Sequence, residues 1–157
     1  MSEDFETDQQ LSRLQQKLDA MPPVASMGIR VAGFAAGQLH LAAPLSHNVN
    51  DKGSAVGGSL AGLMTLACWG SASLALERAG LLGAEVYVQD SQVKYLTPLY
   101  DDLQARGQLQ EGFSWDDFVR AFRERGKARI SLRAEVCCPD GRVAARFEGR
   151  FVALRPA

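Results

Sequence analysis

An apolar stretch, SAVGGSLAGLMTLACWGSASLALERAG, occupies residues 54–80. It consists mostly of alanine, glycine, serine and leucine, and its first charged residue is Glu77. Because apolar residues occur almost all round its helical projection, the pattern predicts a buried helix rather than a surface helix. Its modest length and its serine and glycine content argue against a membrane span.

The segment before this helix predicts one helix and two strands. Leu11, Leu14 and Leu18 recur at helical spacing, which indicates a short amphipathic helix that ends at the prolines after Met21. Residues 27–33 and 38–42 are typical of short strands joined by a turn.

The segment after it predicts four strands and a small inserted helix. Ser114 precedes acidic residues and a hydrophobic face, as expected of a helix N-cap. Residues 127–136 alternate strictly between apolar and polar, as in a strand with one buried face. The remaining strand predictions cover 85–96, a segment with alternating Leu103, Ala105 and Leu109, and 143–151.

A long buried helix followed by antiparallel strands needs a sheet to wrap it. We therefore predict an α+β hotdog fold, an antiparallel sheet around one long buried helix, with a short N-terminal helix and a small inserted helix. The length of 157 residues predicts a single hotdog domain over 1–157, with a helical extension at 1–21 and the core at 22–156.

Composition limits the classes of function. Hydrophobic residues make up 46% and charged residues 22%, as in globular proteins. Three cysteines and an acidic, polar start predict a reduced, cytoplasmic protein without a secretory signal. With two histidines and no CxxC pair, we expect no metal and no redox cofactor. No stretch approaches the roughly 18 uninterrupted apolar residues of a membrane span, so we expect no membrane association.

Positive charge is concentrated at the C-terminal end, because residues 120–157 hold ten basic and four acidic side chains. Such a segment suits a phosphorylated cofactor or an acidic protein, or it is a solvated strand face. No recognition motif for nucleic acid accompanies it, so we expect no nucleic-acid partner.

Three motifs resemble hotdog-fold acyl-thioester enzymes: residues 48–60 (NVNDKGSAVGGSL), Trp69-Gly70, and residues 95–98 (YLTP). The resemblance, over roughly residues 22–156, is to the "putative thioesterase" family of YiiD C-terminal type, including its stand-alone malonyl-ACP decarboxylases. It implies the form without an acetyltransferase half, an acyl carrier protein (ACP) or coenzyme A (CoA) thioester as substrate, and a homodimer or dimer of dimers with sites between subunits.

Gly57 and Gly58 lie where a loop becomes the long helix. Backbone without Cβ atoms allows close approach of a ligand, and the first amides of a helix favour negative charge. These amides suit a thioester oxygen that becomes an oxyanion or an enolate. Tight packing of the helix on the sheet is the alternative explanation of the two glycines.

In the resembling thioesterases an acid lies seven residues after the second glycine, where this chain has Thr65; Val56 stands where a histidine is frequent. Hydrolysis needs a base to activate water, whereas a malonyl thioester carries its own leaving group, CO₂. Loss of CO₂ needs no base, but it needs neutral groups that hold the malonyl carboxylate and the enolate. We therefore expect Thr65 and Asn50 to be catalytic. Alternatively, the Thr65 hydroxyl bonds to the carbonyl four residues earlier.

Other polar residues of the loop are substrate-binding candidates: Asn48, Asp51 and Ser59. Alternatively, Asp51 caps the helix or the loop. In the thioesterase alternative, Asp51 or Asp90 is the catalytic base. Ser54 and Ser59 are expected to cap the helix or to donate to substrate. We expect His47 to be solvated and Cys68 to pack in the core.

Five basic residues are expected to bind the carrier or its phosphates: Arg120, Arg123, Arg125, Lys127 and Arg129. The family resemblance, together with Thr65 in place of the acid, implies a decarboxylase of malonyl-ACP or malonyl-CoA that supports initiation of fatty acid synthesis. An acyl-CoA or acyl-ACP thioesterase and a non-catalytic acyl-thioester or carrier-binding module are the alternatives.

Overall fold

The computed structural model describes residues 3–156. Its α-helices are α1 (Glu3–Ala20), α2 (Pro22–Ala25), α3 (Gly57–Arg78) and α4 (Trp115–Arg125). Its strands are β1 (Arg30–Ala35), β2 (Gln38–Ala43), β3 (Glu85–Tyr95), β4 (Leu103–Arg106), β5 (Gln108–Leu109), β6 (Lys127–Cys137) and β7 (Val143–Leu154). A single 3₁₀ turn, Leu45–His47, precedes the loop that leads into α3.

Helix α1 confirms the leucine pattern but is longer than expected. It covers 18 residues, and Leu14 and Leu18 are its buried side chains. The helix ends at Ala20 because Pro22 and Pro23 lack the amide hydrogens needed to continue it. The prolines instead begin the short helix α2.

Helix α3 is the central helix of the fold. Ten of its 22 residues are buried, and it packs against strands of both sheets. The expectation that α3 is too short and too rich in serine and glycine for a membrane span is wrong. An 18-residue window of α3 reaches a mean hydropathy of 1.4, so its length and composition alone meet the criterion for a span. Its burial among the strands identifies it as the core helix.

Two antiparallel sheets wrap α3, with strand orders β1-β2-β4 and β3-β7-β6-β5. The alternation predicted for residues 127–136 is confirmed for the inner face, because Ala128, Ile130, Leu132 and Ala134 are buried under α3 and α4. Ser131 departs from the predicted polar face, since it is buried as well. The arrangement is the hotdog fold that the sequence predicts.

The strand predicted across Leu103, Ala105 and Leu109 is divided in two. Strand β4 pairs with β2, whereas β5 pairs with β6 in the other sheet. Gly107 separates them, and a Cβ atom there would collide with the carbonyl group of Ala67 in α3. The backbone therefore changes sheets where it passes closest to the central helix, and the segment after α3 has five strands rather than four.

Helix α4 begins as predicted. The Ser114 hydroxyl accepts a hydrogen bond from the amide of Asp117 at 3.0 Å. Phe118 and Phe122 are buried, and the helix ends at Gly126, whose φ of +70° is left-handed.

Among residues 3–156, strand β3 pairs with β7 alone, so it forms one edge of its sheet. Several large side chains near this edge are exposed: Tyr87, Val88, Tyr95 and Leu96. A long edge with exposed apolar side chains is a template for pairing with another strand.

Candidate functional site

The side chain of Asn50 is held by the loop before α3. Its Oδ1 accepts hydrogen bonds from the amides of Lys52 at 2.8 Å and Ser54 at 3.1 Å. Its Nδ2 donates to the Ser54 hydroxyl at 2.9 Å. An amide nitrogen carries two hydrogens, so this arrangement fixes the orientation of the group and leaves one donor for a ligand.

Asn48 has a structural place in the same loop. It is 3% exposed, and its Nδ2 donates to the carbonyl oxygens of Met27 at 2.9 Å and Pro44 at 2.8 Å. Its backbone carbonyl accepts from the amide of Val56 at 2.8 Å. Asn48 thus ties the residue before α3 to the start of the 3₁₀ turn and to the segment that follows α2.

In the described part of the chain, no side chain caps the N-terminus of α3. The helix begins at Gly57, and the N-cap residue is Val56, so the expectation that Ser54, Ser59 or Asp51 caps it is wrong. Valine has no oxygen that can accept from the first helical amides. Within residues 3–156, the amides of Gly57 and Gly58 have no hydrogen-bond partner. They remain available to an anionic oxygen.

The two glycines differ in their surroundings. A Cβ atom at Gly57 would lie 3.3 Å from the ring of Tyr95, so packing accounts for this glycine. A Cβ atom at Gly58 would meet only Val56, at 3.8 Å. Packing within the chain therefore does not require glycine at 58, and the space above this residue is open to a ligand or to another chain.

Thr65 lies on the side of α3 that the sheets do not fully cover. It is half-buried, whereas its neighbours Leu63, Met64 and Ala67 are completely buried. Its hydroxyl donates to the carbonyl oxygen of Ala61 at 2.7 Å. This is the bond to the carbonyl four residues earlier that the sequence offers as the alternative to a catalytic role. Seven residues of helix place Thr65 about 10 Å from Gly58 along the axis.

Of the two candidate bases, Asp90 is engaged away from α3, whereas Asp51 lies in the loop beside Asn50. The carboxylate of Asp90 accepts from Nε and Nη2 of Arg150, and the Nε to Oδ1 distance is 2.8 Å. This hydrogen bonding lowers the pKa of the Asp90 carboxyl. Arg150 alternates along β7 with the buried Gly149 and Phe151, so the pair lies on the outer face of the sheet, away from α3. Asp51 is exposed and pairs with Lys52 at 2.8 Å.

Cys68 and His47 lie where the sequence predicts them. Cys68 is completely buried in α3, and burial raises the pKa of its thiol, as expected of a packing residue. His47 is exposed at the end of the 3₁₀ turn.

The five basic candidates do not lie beside the glycines within one chain. Arg123 donates to the carbonyl oxygen of Ala79 at 2.7 Å, at the C-terminal end of α3. A helix of 22 residues is about 33 Å long, which separates this end from Gly57. Arg120 pairs with Asp117 at 3.3 Å and Arg129 contacts Gln89 at 3.2 Å. Arg125 and Lys127 are exposed and have no ion pair within residues 3–156.

Three cavities of 640, 810 and 630 Å³ lie elsewhere on the chain, and none is lined by Asn50, Gly57, Gly58 or Thr65. The structure thus brings Asn50 and the two glycine amides to one open loop and helix terminus, with Thr65 further along α3. Such a set offers neutral hydrogen-bond donors to an anion, without a carboxylate on the same helix face.

The sequence interpretation missed Tyr95 as a residue of this site. Its hydroxyl donates to the carbonyl oxygen of Gly57 at 3.2 Å. The signal was present, because Tyr95 begins the motif at residues 95–98, but only pairing of β3 with β7 positions it against α3.

Comparison with known proteins identifies the same family that the motif at residues 48–60 resembles. A family model described as "Putative thioesterase (yiiD_Cterm)" matches residues 11–155. A protein of unknown function from Chlorobaculum tepidum is 30% identical, with 96% of this chain and 97% of that chain covered and a TM-score of 0.86. The "putative thioesterase" from Shewanella oneidensis is 27% identical, with coverage of 94% and 99% and a TM-score of 0.81.

A thioesterase from Haemophilus influenzae shares the fold at 16% identity, with coverage of 92% and 90% and a TM-score of 0.71. The family match covers nearly all of the described chain, and the predicted family is confirmed. The chain belongs to the "Putative thioesterase (yiiD_Cterm)" family of hotdog-fold proteins.

Proposed function

We propose that this protein decarboxylates a malonyl thioester, carried by ACP or CoA, and so supplies an acetyl thioester for the initiation of fatty acid synthesis. The observation that carries the proposal is the lack of an acid on the accessible face of α3. From Gly57 to Leu76 the helix contains no Asp or Glu, and Thr65 stands where the resembling thioesterases carry an acid.

The chemistry needs an anion site rather than a base. The bond between the carboxylate carbon and the methylene carbon breaks, CO₂ leaves, and its electron pair forms an enolate whose oxygen is the former thioester carbonyl oxygen. The amides of Gly57 and Gly58 stabilise that oxygen as negative charge develops. The enolate carbon then takes a proton from water, which gives the acetyl thioester.

Asn50 and Thr65 orient the malonyl carboxylate and the enolate. The remaining Nδ2 hydrogen of Asn50 is held in one direction by the bonds that its side chain makes with Lys52 and Ser54. The Thr65 hydroxyl exchanges its bond to Ala61 for one to the substrate by rotation about its C–O bond. Neither group adds negative charge, so neither repels the malonyl carboxylate.

A homodimer joined along β3 would complete the site. The open edge of β3 and its exposed apolar side chains support this arrangement. If two β3 strands pair antiparallel, the C-terminal end of one α3 lies beside the N-terminal end of the other. The basic residues near Arg123 of one subunit would then bind a carrier whose acyl group reaches Gly57 and Gly58 of the partner subunit. The proposed enzyme is a single domain and cytoplasmic.

Hydrolysis of an acyl thioester is the second candidate, favoured by the name of the family and of the Shewanella oneidensis relative. Incubation of the purified protein with malonyl-ACP separates the possibilities. Acetyl-ACP supports the proposal, free carrier supports hydrolysis, and unchanged substrate supports a binding module. The Asp90→Asn variant is the control, and we expect its decarboxylation rate to equal that of the wild type.

A further inference from the structure

Tyr95 contacts the first residue of α3 in two ways. Its hydroxyl donates to the carbonyl oxygen of Gly57 at 3.2 Å, and its ring lies 3.3 Å from the position that a Cβ atom of Gly57 would take. More than half of its side chain remains exposed, so the contact is made at the surface of the molecule.

The bonded carbonyl group belongs to the peptide unit whose nitrogen is the amide of Gly58. A peptide unit is planar, so a hydrogen bond to its oxygen restrains the direction of its N–H as well. Gly58 has no Cβ that would limit its rotation, and none of the side chains between residues 3 and 156 caps this end of α3. Hydrogen bonds in series also polarise one another, which makes the N–H a better donor.

We propose that Tyr95 is a positioning residue that orients and polarises the Gly58 amide toward the thioester oxygen, an inference that rests on the proposed function. Tyr95 does not touch the reacting atoms. Its hydroxyl acts through the Gly57–Gly58 peptide unit, and its effect is therefore greatest when charge has developed on the substrate oxygen.

The Tyr95→Phe variant tests this role, because it keeps the ring against Gly57 and removes only the hydroxyl. Loss of one hydrogen bond predicts a kcat for malonyl-ACP about three- to tenfold lower. KM should stay within about twofold, since only transition-state binding is weakened. Tyr100→Phe is the matched control, because Tyr100 is 66% exposed and its hydroxyl has no partner within residues 3–156. An unchanged kcat, or a change in KM alone, would overturn the inference.

A second measurement does not depend on turnover. In the ¹H–¹⁵N spectrum of the ligand-free protein, Tyr95→Phe should shift the cross-peak of Gly58, and Tyr100→Phe should leave it in place. An unmoved Gly58 cross-peak in Tyr95→Phe refutes the positioning role. If the wild type fails to decarboxylate malonyl-ACP while this cross-peak moves, the proposed function is wrong and the contact of Tyr95 with the Gly58 peptide unit stands.

Discussion

The hydroxyl of Thr65 donates a hydrogen bond to the carbonyl oxygen of Ala61, 2.7 Å away, one turn earlier in α3. The carbonyl group of Ala61 is a helical acceptor, so this bond contributes little to the stability of the fold. The hydroxyl is therefore free to change partners when a ligand lies on this half-exposed side of the helix.

For Thr65, we expect Thr65→Val to lower decarboxylation by about 10²–10³, the usual cost of losing one preorganised donor to a developing anion. Thr65→Ser keeps the hydroxyl and should retain most of the activity. Thr65→Asp should abolish decarboxylation by repelling the malonyl carboxylate and admit some hydrolysis of uncharged acyl thioesters. Product analysis with malonyl-ACP and acetyl-ACP measures both. Near-normal decarboxylation by Thr65→Val, with all activity lost in Asp51→Asn, would support the acid-dependent alternative.

For Asn50, the Asn50→Asp variant keeps an oxygen that can accept from the amides of Lys52 and Ser54 but replaces the donating nitrogen. Decarboxylation should fall by about 10²–10³ while the loop stays folded. Ser54→Ala is the control, since it removes a partner of Asn50 without removing the donor. A rate lowered equally by both variants would mean that Asn50 only shapes the loop.

Gly58 tests whether the open space at the start of α3 serves a ligand. A Cβ atom at this position meets only Val56, at 3.8 Å, so Gly58→Ala should leave the free energy of unfolding unchanged or raise it by up to about 1 kcal/mol. Displacement of the substrate by about 1 Å should lower kcat/KM by about 10². Gly33→Ala, where nothing lies within 4 Å, is the matched control. Full activity of Gly58→Ala would remove the glycine from the site.

Charge reversal tests the basic residues near the end of α4. Arg125→Glu, alone or with Arg123→Glu, should raise KM for malonyl-ACP several-fold at low salt, and the difference should vanish at high salt. Arg125 gives the cleaner result, because Arg123 also bonds to the carbonyl group of Ala79. Arg142→Glu, in the turn at the other end of β6, should leave KM unchanged. Equal effects of the two single reversals would place the docking surface elsewhere.

The open edge of β3 predicts a dimer in solution. Light scattering at micromolar concentration should give about twice the chain mass of 17.0 kDa. Val88→Lys adds charge to an exposed apolar position on this edge and should give monomers with little activity. Ser12→Lys, on the exposed side of α1, should remain dimeric and active. A monomeric, fully active wild type would exclude a site shared between subunits.

Local patterns determined most of the fold. The apolar composition of residues 54–80 predicts a helix that must be covered on all sides, because a helix satisfies its own backbone groups but leaves these side chains to be buried. Composition does not decide whether strands or a membrane cover it, and the packing of α3 against both sheets does. The alternation in β6 and the capping serine before α4 are equally local, since each depends on neighbours within a few residues. The motif at residues 48–60 likewise led to the family and to Asn50, Gly57 and Gly58.

Only the tertiary structure decided which residues meet. Gly107 divides one predicted strand in two because the backbone of Ala67 lies against it. Asp90 is withdrawn from α3 because pairing of β3 with β7 sets it beside Arg150 on the outer face. The same pairing brings Tyr95 to Gly57, 38 residues away along the chain. Sequence spacing fixes contacts within a helix or strand, whereas contacts between elements depend on strand register and packing, which no short segment encodes by itself.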